Sequence, residues 1–319
     1  MTWGQEAARS WRPQPNDDTI MMPPVVVPPV ETPPSLADLA NGYGLIPAGT
    51  RPSLRAYTRQ LWRYRHFIFS YANARLAASF NTARLGRLWQ VLTPLTNAAV
   101  YYLIFGVVLD TRDGVPNFIA YLCTGLFVFT FTQHVVLSGV QAISGQLGLV
   151  RAVQFPRAAL PIALTLTHLQ TLVASIAVLA GIVVLTGDPV TIDWLYLIPA
   201  LLLQAVFNTG LALTVARLGA RLTDLRQLMP YVMRTWMYGS GVFYSVAVFA
   251  EHLPPVAATL VRANPMLVYI ELARDALLVS PPLASSPMQL WVLAVGWAAL
   301  ACFGGYVFFW RGEPEYGRG

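Results

Sequence analysis

The chain has 319 residues, of which 55% are hydrophobic and 11% are charged, and its net charge of +6 rests on arginine alone because it contains no lysine. Soluble proteins carry roughly 25% charged residues, so this composition excludes an ordinary soluble domain and indicates a polytopic membrane protein. Both cysteines, Cys123 and Cys302, fall within apolar runs, which argues against a disulfide framework or a metal site.

Residues 1–52 are predicted to be a flexible, proline-rich tail in the cytoplasm. Prolines recur from Pro13 to Pro52 and are mixed with acidic residues such as Asp17 and Glu31. This composition favours an extended, polyproline-like chain without a packed core. The segment also lacks the basic start and cleavage site of a signal peptide.

Residues 53–90 are predicted to form an amphipathic helix that leads into the first membrane span. One face gathers aromatic and branched residues at spacings of three and four, namely Tyr57, Leu61, Tyr64, Ile68 and Tyr71. The opposite face is basic and carries Arg55, Arg59, Arg63 and His66. A helix with this division of side chains lies in the membrane interface.

Residues 91–311 contain six apolar runs, each predicted to be a transmembrane helix, at 91–109, 117–140, 158–185, 194–216, 227–249 and 290–310. The first run covers about 28 Å as a helix, enough to cross the hydrocarbon core. A polar, proline-bearing stretch over 251–287 precedes the last run, and residues 312–319 form a short tail. The sequence thus predicts an all-α membrane protein with both termini on one side.

The distribution of arginine predicts which side that is. The connections on the side of the termini hold most of the arginines, whereas the other side holds only Arg112, Arg262 and Arg274. Because positive charge concentrates in cytoplasmic segments, both termini are expected in the cytoplasm, with the chain in the plasma membrane.

The predicted spans contain no Asp or Glu, which argues against a carrier driven by protons or sodium. A chain without lysine also cannot form a phosphate-binding Gly-x-x-x-x-Gly-Lys-Ser/Thr loop. The energy for active transport would therefore come from a separate subunit. The carboxylates outside the spans are scattered, which argues against a polytopic enzyme acting on polyprenyl-linked sugars.

Several polar side chains interrupt the spans: Asn97, Gln133, His134, His168, Gln170, Gln204 and Asn208. They either form hydrogen bonds between helices or line a passage, and the two histidines are expected to be core residues rather than metal ligands. Arg234 lies about two turns into the fifth run. It either extends to the inner head groups or contacts an anionic lipid head group.

Aromatic residues are dense in the first and fifth runs and could line a sugar passage, because aromatic rings pack on the apolar faces of sugars. The candidates are Tyr101, Tyr102, Phe105, Trp236, Tyr238, Phe243 and Tyr244. Packing in the core or against lipid is the alternative for each of them.

An ordered series of motifs resembles the permeases of polysaccharide-exporting ABC transporters, the Wzm and teichoic-acid exporter class of the type-2 ABC exporters. The motifs are Leu85-Gly86-x-Leu88-Trp89 with Pro94, Phe155-Pro156-Arg157 with Pro161, Thr223-Asp224, Gly241-Val242-Phe243-Tyr244, and Asn264-Pro265-Met266 with Arg274. The resemblance covers residues 57–311. The chain departs from the family pattern at Thr223-Asp224, where Arg-Asp is usual, and at Ser240-Gly241, where Ser-Pro is usual.

The resemblance implies a homodimer that works with two cytoplasmic ATPase subunits, which carry the ATP and Mg²⁺, so no cofactor is expected in this chain. It implies a coupling helix that contacts the ATPase through Gln146, Leu147, Leu149, Arg151, Phe155, Pro156 and Arg157. It also implies gate helices outside the membrane that include Asn264, Pro265, Met266 and Arg274. The basic face at Arg55, Arg59 and Arg63, with Arg234, would contact an anionic head group.

The cargo implied by the resemblance is a polysaccharide linked to polyprenyl pyrophosphate, either O-antigen-like or a cell-wall glycan. The absence of lysine and the proline-rich extension are similar to actinobacterial members that export lipid-linked galactan. A type-2 ABC permease for a lipid or drug is the alternative within the same class. Membrane lipids are expected partners, and nucleic acid is not.

Overall fold

The computed structural model describes residues 52–81, 86–109, 114–250 and 254–316, and these residues form helices and connections without a β-strand. The predicted tail up to residue 51, part of the Leu85-Gly86 motif, residues 110–113 after the first predicted span, residues 251–253 and the last three residues lie outside the described residues. The prediction of an all-helical chain is confirmed for the described part.

The helices, in chain order, are α1 (Leu54–Arg63), α2 (Arg65–Asn81), α3 (Gly86–Tyr101), α4 (Phe118–Gly139), α5 (Leu147–Ala152), α6 (Ala159–Leu185), α7 (Leu197–Arg221), α8 (Leu225–Tyr238), α9 (Val246–Ala250), α10 (Pro255–Arg262), α11 (Pro265–Leu277) and α12 (Pro287–Arg311). A π-helical segment, Tyr102–Val108, continues α3. Short 3₁₀ turns at Ser144–Gln146, Ile192–Tyr196 and Glu313–Glu315 precede α5, precede α7 and follow α12.

Local sequence explains where several of these helices begin. The side chains of Ser53, Asn117 and Asn264 accept hydrogen bonds from backbone N–H groups in the first turns of α1, α4 and α11. Pro265 and Pro287 occupy the first positions of α11 and α12, where the missing N–H costs nothing and the fixed φ suits a helix.

In the described part of the chain, four helices are long and apolar enough to cross a membrane: α4, α6, α7 with its preceding 3₁₀ turn, and α12. The pair α10 and α11, bent by 67°, makes a possible fifth span. The predicted first span contains the shorter apolar helix Leu95–Val108. The count of six spans predicted from the sequence is therefore not confirmed among the described residues.

The prediction of one continuous helix over 227–249 is wrong. Helix α8 ends at Tyr238, and a non-helical turn over 239–245 separates it from α9. Gly241 has a φ of +63°, in the left-handed region that favours glycine and that the proline usual at this position could not adopt. The departure from the family motif at Ser240-Gly241 thus falls where the helix breaks.

The bundle is held together by close packing of α7 against α12. A Cβ atom built on Gly210 would lie 2.1 Å from the backbone of Ala301, and one built on Gly305 would lie 2.2 Å from the carbonyl oxygen of Gly210. Small residues at such positions let two membrane helices approach closely and gain van der Waals contact.

Helix α11 packs against α4, α7 and α12, and its residues from Met266 to Arg274 are buried. Trp297, near the middle of α12, donates a hydrogen bond to the carbonyl of Ala263 at the corner between α10 and α11. This corner therefore lies at about mid-height of the bundle. Helix α11 is therefore part of the bundle core, and the role of residues 251–287 as gate helices stays a prediction.

Candidate functional site

The predicted amphipathic helix is present as α1 and α2, which are separated by a turn at Tyr64, and its place in the membrane interface stays a prediction. The predicted apolar face is confirmed, because Tyr57 and Ile68 are buried and the other three members of that face are half-buried. Arg55, Arg59 and Arg63 are exposed, as predicted for the basic face.

A network of hydrogen bonds links α1 to the C-terminal segment and to the start of α6. We call this network of Tyr57, Arg157, Ala158 and Glu313 the joint. The Tyr57 hydroxyl donates to Oε2 of Glu313 at 2.7 Å and accepts from the backbone N–H of Ala158 at 3.1 Å. The second carboxylate oxygen of Glu313 accepts from the backbone N–H of Arg157 at 3.2 Å. Nη1 of Arg157 donates to the main-chain carbonyl of Glu313 at 2.6 Å.

Burial dominates the electrostatics of this joint. It raises the pKa of the Glu313 carboxyl above its usual value, although the hydrogen bonds from Tyr57 and Arg157 oppose the shift. Burial, reinforced by the Glu313 carboxylate, raises the pKa of the Tyr57 phenol well above its usual value. Both shifts favour the protonated form of each group in the folded chain.

The predicted coupling helix corresponds to α5, a short helix near the joint. Arg151 is exposed on it, whereas Gln146, Leu147 and Leu149 are half-buried. Phe155 and Pro156 are buried, and the Phe155 ring lies 5.2 Å from that of Phe67 on α2. Phe155 and Pro156 are therefore not at the surface that Arg151 exposes. Contact of this region with an ATPase stays a prediction.

Four of the predicted aromatic residues form one cluster where α3 meets the broken end of α8. The ring of Phe243 stacks on Phe105 at 4.4 Å and lies 4.7 Å from Tyr101 and 5.5 Å from Tyr238. Tyr102 does not join this cluster and instead lies 6.3 Å from Phe118. We call Tyr101, Phe105, Tyr238 and Phe243 the aromatic cluster.

Trp236 and Tyr244 support the turn over 239–245. The Tyr244 hydroxyl donates to the carbonyl of Tyr238, and the Trp236 indole donates to Oδ1 of Asn264 at 3.0 Å. The Asn264 amide in turn donates to the Gly239 carbonyl at 2.9 Å. Asn264 thus caps α11 and fastens it to the end of α8, with Pro265 and the buried Met266 directly behind it.

Arg274 is fully buried and clamps the same turn from the other side. Its guanidinium donates to the carbonyls of Gly241 at 3.0 Å and Val242 at 3.1 Å, and to that of Tyr121 at 3.2 Å. It also lies over the Tyr121 ring, 3.3 Å from the ring centre. Arg274 is thus a core residue of the helix bundle, and its place in an outer gate stays a prediction.

A polar cavity of about 740 Å³ lies between α2, α3, α4, α6 and α8. Its lining combines polar groups with six apolar side chains. The polar groups include serine and threonine hydroxyls and the side chains of Arg75, Asn97, Tyr101, Gln133, His134, His168 and Arg234. Tyr101 therefore belongs both to this cavity and to the aromatic cluster. Elsewhere, Arg55 and Arg59 border a separate open groove on α1.

The polar residues of the spans divide between the two roles considered for them. Gln204 donates to the carbonyl of Val128, Asn208 accepts from Thr132, and Gln170 donates to Asn73, so these three link helices. The other polar residues of this set line the cavity: Asn97, Gln133, His134 and His168. The expectation of core histidines is wrong for His134, which is exposed, whereas His168 is half-buried and bonds the Ser138 hydroxyl.

Sequence reasoning missed Glu313 and Arg75 as members of these sites. Only the packing of α2 against α6 brings Arg75 to the cavity. Among the described residues, no group of three or more His, Cys, Asp or Glu side chains could hold a metal ion.

Comparison with protein families gives a match to the ABC-2 type transporter family over residues 68–278, from α2 to the end of α11. The chain is 26% identical over 209 residues to the O-antigen export system permease protein RfbA of Myxococcus xanthus, covering 66% of this chain and 79% of that protein. It is 23% identical over 204 residues to RfbA of Klebsiella pneumoniae, covering 64% and 76%. It is 24% identical over 217 residues to the polysialic acid transport protein KpsM of Escherichia coli, covering 68% and 82%.

Proposed function

The chain belongs to the ABC-2 type transporter family, and from that premise we propose that it is the membrane-spanning permease of an ATP-driven exporter for a lipid-linked polysaccharide. Membership of this family confirms the prediction of a transporter subunit rather than an enzyme. The resemblance to polysaccharide-exporting permeases is also confirmed, since the relatives named above export O-antigen or transport polysialic acid.

One observation carries the choice of a glycan cargo: the aromatic cluster adjoins the polar cavity, and Tyr101 belongs to both. Aromatic rings pack on the apolar faces of sugar rings, while hydroxyl and amide groups bond their hydroxyls. Phe243 is buried at the centre of the cluster, so the exposed Tyr238 and the half-buried Tyr101 and Phe105 are the rings that would contact a chain of sugars moving through.

We further propose a homodimer that binds two cytoplasmic ATPase subunits, with both termini in the cytoplasm. The exposed Arg151 on α5 would contact the ATPase, and the joint at Glu313 would link that region to α1. The exposed Arg55, Arg59 and Arg63 would contact the pyrophosphate of the cargo at the inner mouth. A cell-wall galactan is the proposed glycan, on the basis of the lysine-free composition and the proline-rich extension.

Depletion of the chain in its host tests this proposal. We expect the polyprenyl-linked glycan to accumulate inside the cell while its amount at the surface falls, measured by extraction and sugar analysis of the two fractions. Re-expression of the full chain should restore export. Unchanged surface glycan after depletion would refute an exporter of this cargo.

Isolation of the tagged chain from gently solubilised membranes tests the partner. An ATPase subunit without membrane spans should co-purify, and its ATP hydrolysis should depend on the chain. If no such subunit is recovered, and added ATP causes no change in the chain, the ATP-driven mechanism is refuted.

A further inference from the structure

The polar cavity gathers positive charge and hydrogen-bond donors. Two arginines, Arg75 from α2 and Arg234 from α8, border it with two histidines. No Asp or Glu of the described residues lines it. Whatever fills this cavity in a membrane therefore meets basic groups that the described lining does not neutralise.

The position of these groups along their helices makes the lack of counter-charge significant. Arg234 and His168 each lie about 14 Å from the start of their helices, α8 and α6, at 1.5 Å per residue. Both helices begin at the end of the bundle where α12 finishes. Charged side chains at such depth are costly unless they are paired, and unpaired ones mark binding sites or pathways.

The donors in the cavity suit an anion with several oxygens. The His168 and His134 rings lie 5.7 Å apart, and Nε2 of His168 is 2.9 Å from the Ser138 hydroxyl, which fixes its orientation. Arginine forms paired, charge-assisted hydrogen bonds with phosphate, and imidazole and hydroxyl groups add further donors. A carboxylate would use fewer of these groups than a phosphate would.

We propose that this cavity binds a phosphate group carried by a lipid, with Arg75 and Arg234 as its counter-charges and His134 and His168 as hydrogen-bond donors. Two sources share this chemistry: the diphosphate of a polyprenyl-linked cargo and the head group of an anionic phospholipid. Assignment to the cargo rests on the function proposed above, whereas the phosphate site itself does not.

The test measures binding of radiolabelled farnesyl diphosphate to the full-length chain in phosphatidylcholine nanodiscs. We compare the native chain with the double variant Arg75→Gln/Arg234→Gln and with the single variant Arg234→Lys. The matched control is Arg262→Gln, which removes an exposed arginine on α10 that does not border the cavity. Farnesol is the ligand control without phosphate, and discs containing phosphatidylglycerol provide the competing lipid.

We expect the double variant to weaken binding at least tenfold, Arg234→Lys to retain most of it, and Arg262→Gln to leave it unchanged. Displacement by phosphatidylglycerol would identify a phospholipid head group as the occupant, and resistance to it would identify the cargo diphosphate. Equal binding of farnesol, or unchanged binding in the double variant, overturns the proposal. The assay needs neither ATP nor export, so it remains decisive for the site if the exporter function fails.

Discussion

Removal of the Arg274 side chain should loosen the turn that ends α8. In Arg274→Met, the carbonyls of Gly241 and Val242 lose the donor that the guanidinium supplies within the core. A buried acceptor without a partner costs about 1–3 kcal/mol, so two cost about 2–6 kcal/mol. Removal of a buried charge also recovers part of its desolvation cost. We therefore expect the free energy of unfolding to fall by about 3 kcal/mol.

The variant Arg274→Lys distinguishes the effect of the positive charge from that of the guanidinium hydrogen bonds. Arg274→Lys keeps the positive charge, but a compact ammonium cannot serve three carbonyls arranged for the planar guanidinium. We therefore expect Arg274→Lys to be at least as destabilising as Arg274→Met. For a chain of this size, a loss of about 3 kcal/mol corresponds to a fall in Tm of about 6–12 °C.

The assay is thermal unfolding in nanodiscs followed with a dye that reacts with exposed thiols. In a Cys302→Ala background, the buried Cys123 on α4 is the only cysteine, so its reaction reports opening of the core. Arg262→Met is the control, since it removes an exposed arginine nearby. A native Tm for Arg274→Lys, or equal shifts for Arg274→Met and Arg262→Met, would refute the clamp.

Three further predictions concern the packing, the joint and the basic face. Gly305→Ala should lower Tm because its Cβ would lie 2.2 Å from a backbone oxygen of α7, whereas Gly304→Ala, with open space around its Cβ, should not. Burial raises the pKa of Glu313 above the usual 4.5, so the folded chain binds this proton more tightly than the unfolded chain. The contribution of Glu313 to stability is therefore fully present below about pH 4.5 and declines as the pH rises through the pKa of Glu313 in the folded chain. The variant Glu313→Gln should flatten this slope of Tm against pH. Arg59→Glu/Arg63→Glu should reduce glycan export in the host without changing membrane insertion, and normal export would remove their role at the head group.

The sequence predicts best those features that repeat along one helix. The spacing of Tyr57 and Ile68 correctly identifies the packed face of α1 and α2, and apolar runs locate α4, α6, α7 and α12. Hydropathy fails at α8, because the apolar run continues through the turn at Gly241 although the backbone does not continue as a helix.

Long-range contacts explain the remaining errors. Backbone carbonyls from two distant parts of the chain surround Arg274 in the core, and no local pattern in the sequence predicts that site. Tyr57 and Glu313 are 256 residues apart, so no local pattern relates them. The apolar sequence around His134 and His168 is typical of core residues, and only the space between α4 and α6 makes them part of a cavity.

The joint at Glu313 constrains how the end of the bundle near α5 can move. Its carboxylate bonds the Tyr57 hydroxyl and the Arg157 backbone together, and the Tyr57 hydroxyl also accepts from the Ala158 backbone. A displacement of the segment between α5 and α6 must therefore either break buried hydrogen bonds or move α1 with it. Each broken bond would leave a buried oxygen or N–H group without a hydrogen-bond partner, which costs about 1–3 kcal/mol. Movement of this segment together with α1 therefore costs less free energy than movement without it. Because α2 follows α1 after one turn and carries Arg75, the same movement would reach the wall of the polar cavity.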